Sequence, residues 1–218
     1  MNIFSTISTK IVSILCLAFL SDGFFVQRSR QYSSCLFSER KKVFIDGEAG
    51  TTGLQVRERL AGRTDIEIIS PPSDLRKDEA TRKKFLNEAD AVILCLPDAA
   101  SIEAASWIEP DNDRTVLIDA STAFRVDDDW VYGFPEMDKS QKEAISKSKR
   151  ISNPGCYPTG FIGITRPLVS AGLIEKGTPL TVNAISGYSG GGKALIEIYE
   201  SGNVEPWGAY GFNLVSCC

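Results

Sequence analysis

The sequence predicts an α/β fold, a parallel sheet with helices on both faces, and three observations predict it. Between residues 42 and 121, short β-rich runs alternate with segments of helical character. Two of those runs, 91–97 and 115–121, are rich in apolar residues, as expected of strands covered on both faces. A glycine cluster stands between the first such run and the first helix. A repeated strand–helix–strand order implies parallel pairing through right-handed crossovers, and it puts ligands beyond the carboxyl ends of the strands.

The elements follow in chain order. "KVFID" (42–46) is the first strand, and "GEAGTTG" (47–53) is the loop after it. Residues without Cβ let a backbone turn tightly and approach a pyrophosphate, whose charge the following helix N-terminus favours. The spacing is G-x-x-G-x-x-G rather than the commoner G-x-G-x-x-G. In this context, Gly47, Gly50, Thr51, Thr52 and Gly53 are the candidates for holding a dinucleotide, and the half of the chain they open is Rossmann-like. "LQVRERLAG" (54–62) reads as the helix, with Leu54 and Leu60 on its inner side and Gly62 as its stop.

"IEIIS" (66–70) is the second strand, ending about twenty residues after the loop. An NAD enzyme carries an acid at this point for the ribose 2′-hydroxyl. Here Ser70 is followed by Arg76 and Lys77, and hydroxyls and cations suit a 2′-phosphate, so NADP is the expected cofactor. "DEATRKKFLNEAD" (78–90) is a helix with Phe85 and Leu86 inward. "AVILCLP" (91–97) is a buried strand whose end, Leu96 and Pro97, should border the cofactor. "DAASIEAASWI" (98–108) is a helix with Asp98 as N-cap, and "TVLIDAS" (115–121) is the next strand.

A thiol stands out further on. In "ISNPGCYPTG" (151–160), Cys156 lies between a Pro-Gly turn and the start of a helix read over 158–172, with Pro158 at its first position. Phe161, Ile164 and Leu168 fall on one face of that helix, and Pro167 should kink it or limit its hydrogen bonds. The orphan amides at a helix N-terminus favour a thiolate there. A thiolate beside NADP implies a reaction class. Attack on an aldehyde gives a thiohemiacetal that can yield hydride to a nicotinamide. The resulting thioester can be opened by phosphate, and the reverse direction reduces an acyl phosphate.

Six segments, "FIDGEAGTTGL", "ADAVILCLPDAA", "LIDASTAFR", "WVYGFPEM", "SNPGCYPTGF" and "GYSGGGKALIE", together resemble the short, type 2 N-acetyl-gamma-glutamyl-phosphate reductases of arginine biosynthesis. The resemblance runs from about residue 42 to about 211. It implies NADPH-dependent reduction of N-acetylglutamyl 5-phosphate to the 5-semialdehyde with release of phosphate, and Cys156 as the acylated nucleophile. It also implies substrate contacts from Ser121, Arg125 and Asn153, and a loop, 187–193, whose Ser189 and Gly190 lie near the nicotinamide. Phe124 stands where the family segment often has histidine. Family members continue past this point through a histidine acting as base, and the 218 residues here contain no histidine. The expectation is therefore a C-terminally shortened form. An NADP-binding fragment with impaired catalysis, or a relative acting on aspartyl phosphate, remains as an alternative.

Composition bounds the rest. At 43% hydrophobic and 24% charged the chain is of ordinary globular type, and a net charge of −4 gives no basic footprint for nucleic acid or an anionic membrane surface. The six cysteines show neither zinc spacing nor a disulfide framework, so no metal is expected; "DDDW" (127–130) reads as a solvated loop. Residues 1–40 carry a ten-residue apolar run, 11–20, too short to span a bilayer, and then a Ser- and Arg-rich, acid-poor stretch. They read as a removable leader to a plastid, with mitochondrion or cytoplasm as alternatives. The expected organisation is a leader over 1–40, an NADP-binding domain over 41–155 and a partial catalytic and dimerisation domain over 156–218. Its second part has a strand at "LTVNAIS" (180–186), and the full-length enzyme forms a homo-oligomer that takes small-molecule substrates.

Overall fold

The computed structural model describes residues 39–202, without side chains for 191–194. The expected leader, Cys16, Cys35, Cys217 and Cys218 lie outside the described residues. Six strands, β1 (Lys41–Asp46), β2 (Ile66–Ile69), β3 (Ala91–Leu94), β4 (Val116–Asp119), β5 (Val131–Tyr132) and β6 (Arg150–Ser152), form one sheet in the order β2-β1-β3-β4-β6-β5. Every pair in it is parallel. The helices are α1 (Thr51–Leu60), α2 (Glu79–Glu88), α3 (Asp98–Ser106), α4 (Gln141–Lys147), α5 (Cys156–Ser170) and α6 (Gly192–Glu200), with one 3₁₀ turn over Tyr188–Gly191.

Strand alternation sorts the core into two layers. Val43, Ile45, Ile93, Ile118 and Ile151 face one side, where Val56 and Leu60 of α1 and Ile145 of α4 pack on them. Phe44, Val92, Leu94 and Leu117 face the other, against Leu86 of α2 and Ala104 and Ala105 of α3. The sheet is thus covered on both faces, as the apolar runs predict.

Several local expectations are corrected. Helix α1 begins at Thr51, so its inner face is Gly53, Val56 and Leu60, at steps of three and four, and Leu54 is 56% exposed. Asp98 is the first residue of α3, with Pro97 as N-cap; its carboxylate accepts from the Thr122 amide (2.9 Å) and hydroxyl instead. Pro158 is the third residue of α5, not the first. Amides in the first turn have no intrahelical partner, so proline there removes no ladder bond. Pro167 likewise leaves α5 continuing to Ser170, and Ala171 donates to its carbonyl at 2.9 Å. Residues 180–186 form no strand; among the described residues no sheet edge pairs with them, and a strand without a partner has no ladder. "GYSGGGK" is a 3₁₀ turn entering α6 rather than an open loop, with Tyr188 stacked on Tyr199 at 5.1 Å.

Candidate active site

In the order β2-β1-β3, the chain leaves β1 toward one side and returns across it toward the other, so the strand order reverses between β1 and β3. A cleft of about 400 Å³ opens there, at the carboxyl ends of the strands. Its floor is Asp46, Gly47 and Leu96, and its outer wall carries Glu48, Arg76 and Lys77.

The glycines explain how a ligand could come so close. Gly47 has φ +88, and a Cβ on it would lie 2.4 Å from the Cys95 carbonyl oxygen. A Cβ on Gly53 would lie 2.3 Å from the Gly47 oxygen. The loop is thus pressed between β3 and α1 with no room for side chains. Gly50 is the N-cap of α1 and supplies no capping side chain, which leaves the first amides of the helix, including those of Thr51 and Thr52, for an outside acceptor. This cradle fits a dinucleotide pyrophosphate.

Charges around the cleft are arranged in pairs. Asp46, 4% exposed, accepts from Arg82 Nη2 at 2.8 Å, and the Arg82 guanidinium lies 4.7 Å from the centre of the Trp107 ring. Glu48 accepts from Arg57 Nη1 at 2.7 Å and from the Ser70 hydroxyl at 2.9 Å. Arg76 and Lys77 are exposed, and no ion pair engages them among the described residues. Sequence reasoning missed Glu48, Arg57 and Arg82 as site residues. Arg57 and Arg82 sit in helices without any local motif, and only the fold brings them to the strand ends.

The thiol lies on the same sheet edge, beyond β6. Strand β6 pairs with β4, and the Asn153 amide extends that ladder to the Asp119 carbonyl at 2.7 Å. The turn Pro154-Gly155 then delivers Cys156, exposed, as the first residue of α5. Gly155 is its N-cap and also contributes no capping side chain. A Cβ on Gly155 would lie 2.7 Å from Arg125 Nη1, so the guanidinium rests on the residue next to the thiol. The structure therefore places the Arg125 guanidinium against Gly155, the residue before Cys156. Arg125 is held by the loop 120–130, which is fixed from below by Phe124 stacked on buried Trp130 at 4.0 Å.

Ser121 is buried and donates to Asp119 at 2.6 Å while accepting from the Ala123 amide at 3.1 Å. Burial pushes the Asp119 carboxyl up, against the hydrogen bond from Ser121 that pulls it down. Asn153 turns its side-chain amide to the Pro154 carbonyl at 3.2 Å. Cys95, the other described cysteine, differs from Cys156. Burial, with the Asp119 and Asp46 carboxylates nearby, pushes its thiol up to about 12. Pro97 is exposed at the start of α3, and Ser189 and Gly190 lie exposed in the 3₁₀ turn, outside the residues lining the cleft. The helix that follows them, α6, approaches α1. No group of metal-ligating side chains occurs among the described residues, and no described helix is long and apolar enough to cross a membrane.

The profile of the semialdehyde dehydrogenase NAD binding domain matches residues 51–147, and that of the semialdehyde dehydrogenase dimerisation domain matches 156–213. The chain belongs to the semialdehyde dehydrogenase family. Within it, the relatives include the N-acetyl-gamma-glutamyl-phosphate reductase of Chelativorans sp. (strain BNC1), 60% identical over 159 residues, which are 73% of this chain and 51% of that protein. The N-acetyl-gamma-glutamyl-phosphate reductase 2 of Nostoc sp. is 51% identical over 170 residues, 78% of this chain and 52% of its own. The chain thus spans about half the length of the curated relatives it matches. Among solved structures, aspartate semialdehyde dehydrogenase II from Vibrio cholerae, in complex with ASA, matches with a TM-score of 0.52 at 17% identity, covering 75% of this chain and 52% of that one. The Francisella tularensis aspartate semialdehyde dehydrogenase matches with a TM-score of 0.53 at 16% identity, covering 72% and 47%. These two bear on the fold alone.

Proposed function

We propose that the chain carries the nucleotide cleft and nucleophile of an N-acetyl-gamma-glutamyl-phosphate reductase, which reduces N-acetyl-L-glutamyl 5-phosphate to the 5-semialdehyde and phosphate with NADPH. The observation that carries this reading is the pairing of an exposed thiol at the first position of α5 with the Arg125 guanidinium on the adjacent Gly155. A thiol next in the chain to a residue that carries a phosphate-binding fork suits an acyl phosphate.

In the derived sequence, Arg125 binds the phosphoryl or carboxylate oxygens of the substrate in bidentate fashion. The Cys156 sulfur attacks the acyl carbon, its C–S bond forms, and the C–O bond to phosphate breaks. The sulfur stands on the first residue of α5, at the positive end of the helix dipole. The loop of Gly47, Gly50 and Gly53 would hold NADPH by its pyrophosphate, with Ser70, Arg76 and Lys77 toward its 2′-phosphate. When bound, that cofactor supplies a hydride for the thioester carbonyl. Sulfur then leaves as the tetrahedral adduct collapses to the aldehyde. Asn153 is the group assigned to the substrate carbonyl, and Ser121 braces the loop carrying Arg125.

The same reading extends to assembly and location. The dimerisation-domain match supports a homo-oligomer in the complete enzyme. The leader supports a plastid address, which a fluorescent reporter fused to residues 1–40 would reveal by its destination. The activity itself is tested by phosphate-dependent formation of NADPH from N-acetylglutamate 5-semialdehyde. Turnover that Cys156→Ser abolishes is the expected result. Turnover that survives Cys156→Ser removes the thiol mechanism, and NADPH binding without turnover favours a binding fragment.

A further inference from the structure

The Glu48–Arg57–Ser70 triangle is not explained by the reaction. Glu48 lies in the glycine loop, Arg57 on α1 and Ser70 after β2. Glu48 Oε2 accepts from Arg57 Nη1 at 2.7 Å and from Ser70 Oγ at 2.9 Å, and Arg57 Nη1 also donates to Ser70 Oγ at 3.0 Å. A guanidinium and a hydroxyl converging on one anionic oxygen form the donor set that recognises a phosphate. Ser70 stands just after the second strand, where a doubly wound fold reads the ribose 2′-substituent, and Arg57 reaches it from α1. Arg76 and Lys77 line the same cleft as Glu48. An anion already occupies the spot, and it belongs to the protein.

We propose that Glu48 is a placeholder carboxylate, displaced from Arg57 and Ser70 by the 2′-phosphate of the cofactor, and that it sets the ratio of affinities for NADP and NAD. The proposal rests on the cofactor reading above. The side chains of Arg57 and Glu48 are 47% and 29% exposed. Water screens such a pair, so breaking it is cheap. A phosphate brings more charge and three acceptor oxygens, and it outcompetes a carboxylate for the same donors. Two anions cannot share one guanidinium without repulsion, so Glu48 must swing away when the phosphate arrives. A ribose hydroxyl is neutral and displaces nothing; beside it, Glu48 stays on Arg57 and is free to accept from the sugar. The carboxylate thus opposes NADP and is indifferent or helpful to NAD.

The test is equilibrium titration of the full chain with NADPH and NADH by nicotinamide fluorescence, backed by calorimetry with 2′,5′-ADP. Glu48→Gln should tighten NADPH and 2′,5′-ADP by roughly three- to tenfold while NADH stays level or weakens. Arg57→Gln should weaken NADPH by roughly tenfold and spare NADH. Glu58→Gln makes the same charge change one residue from Arg57 on α1, and it should leave the ratio unchanged. The proposal is overturned if Glu48→Gln weakens NADPH, shifts both cofactors alike, or does no more than Glu58→Gln. If the folded wild-type chain binds neither NADPH nor 2′,5′-ADP, the cofactor reading itself fails, and this proposal with it.

Discussion

At the scale of single residues, the site depends on places where an atom is missing or a charge is close. Gly47 is the sharpest case. Its φ of +88 and the 2.4 Å between a would-be Cβ and the Cys95 oxygen both exclude a side chain. Gly47→Ala should destabilise the fold by about 3 kcal/mol, read as a lower urea midpoint, and should weaken NADPH binding. Gly62 offers the control, because a Cβ there meets nothing within 4 Å. Arg125 makes a different prediction. Its guanidinium rests on Gly155, so Arg125→Lys keeps a positive charge but loses the planar fork. Turnover per substrate encounter, kcat/KM, should fall roughly a hundredfold with the melting temperature little changed. The two described thiols should also separate under iodoacetamide. Cys156 is exposed, whereas burial and two carboxylates push Cys95 up to about 12, so peptide mapping near neutral pH should find label on the first and not on the second.

At the scale of elements, the long signals were legible and the short ones were not. The apolar runs at 91–94 and 43–45 identify β3 and β1, because burial on both faces leaves its mark on every residue. Strands β5 and β6 have only two and three residues, fewer than a period can reveal, and they owe their pairing to β4 beside them. The expected strand at 180–186 rested on β propensity without knowledge of a partner edge, and pairing decides strands. In α1, moving the start to Thr51 shifted which residues face inward, from Leu54 to Val56. Cys156 was legible because a Pro-Gly turn and a helix start are both local. The Glu48–Arg57–Ser70 triangle was not, since it joins residues 9 to 22 positions apart across three elements. The packing of α2 can be tested directly. Leu86 is fully buried against the sheet, and Leu86→Ala should cost about 2–5 kcal/mol in unfolding free energy. A cost well below that range would mean that α2 does not dock as described.

At the scale of the molecule, two features set behaviour in solution. The face of α5 and the segment after it present Ile164 at 70%, Leu173 at 74% and Ile185 at 97% exposure. Together with a match to a dimerisation domain, this predicts concentration-dependent self-association of the 218-residue chain in sedimentation velocity. A single monomeric boundary at all concentrations would contradict that. The second feature is pH. Asp119 has its carboxyl raised above the ordinary 3.8 by burial, so the folded state holds its proton more tightly than the unfolded one. Its contribution is complete below 3.8 and is lost as pH rises through the folded value. Asp98, lowered by the Thr122 hydrogen bonds, acts the opposite way and loses its contribution only as pH falls below 3.8. Asp119→Asn should therefore flatten the decline in stability above pH 3.8 and leave the acid limb in place. The central claim, that the Cys156 sulfur takes the acyl group, is tested most directly by peptide mass mapping after the chain meets N-acetylglutamyl 5-phosphate without NADPH. The account predicts an N-acetylglutamyl thioester on Cys156 that hydroxylamine removes. An acyl group found on another residue, or a wild-type chain that gains no mass while still binding the cofactor, would contradict it.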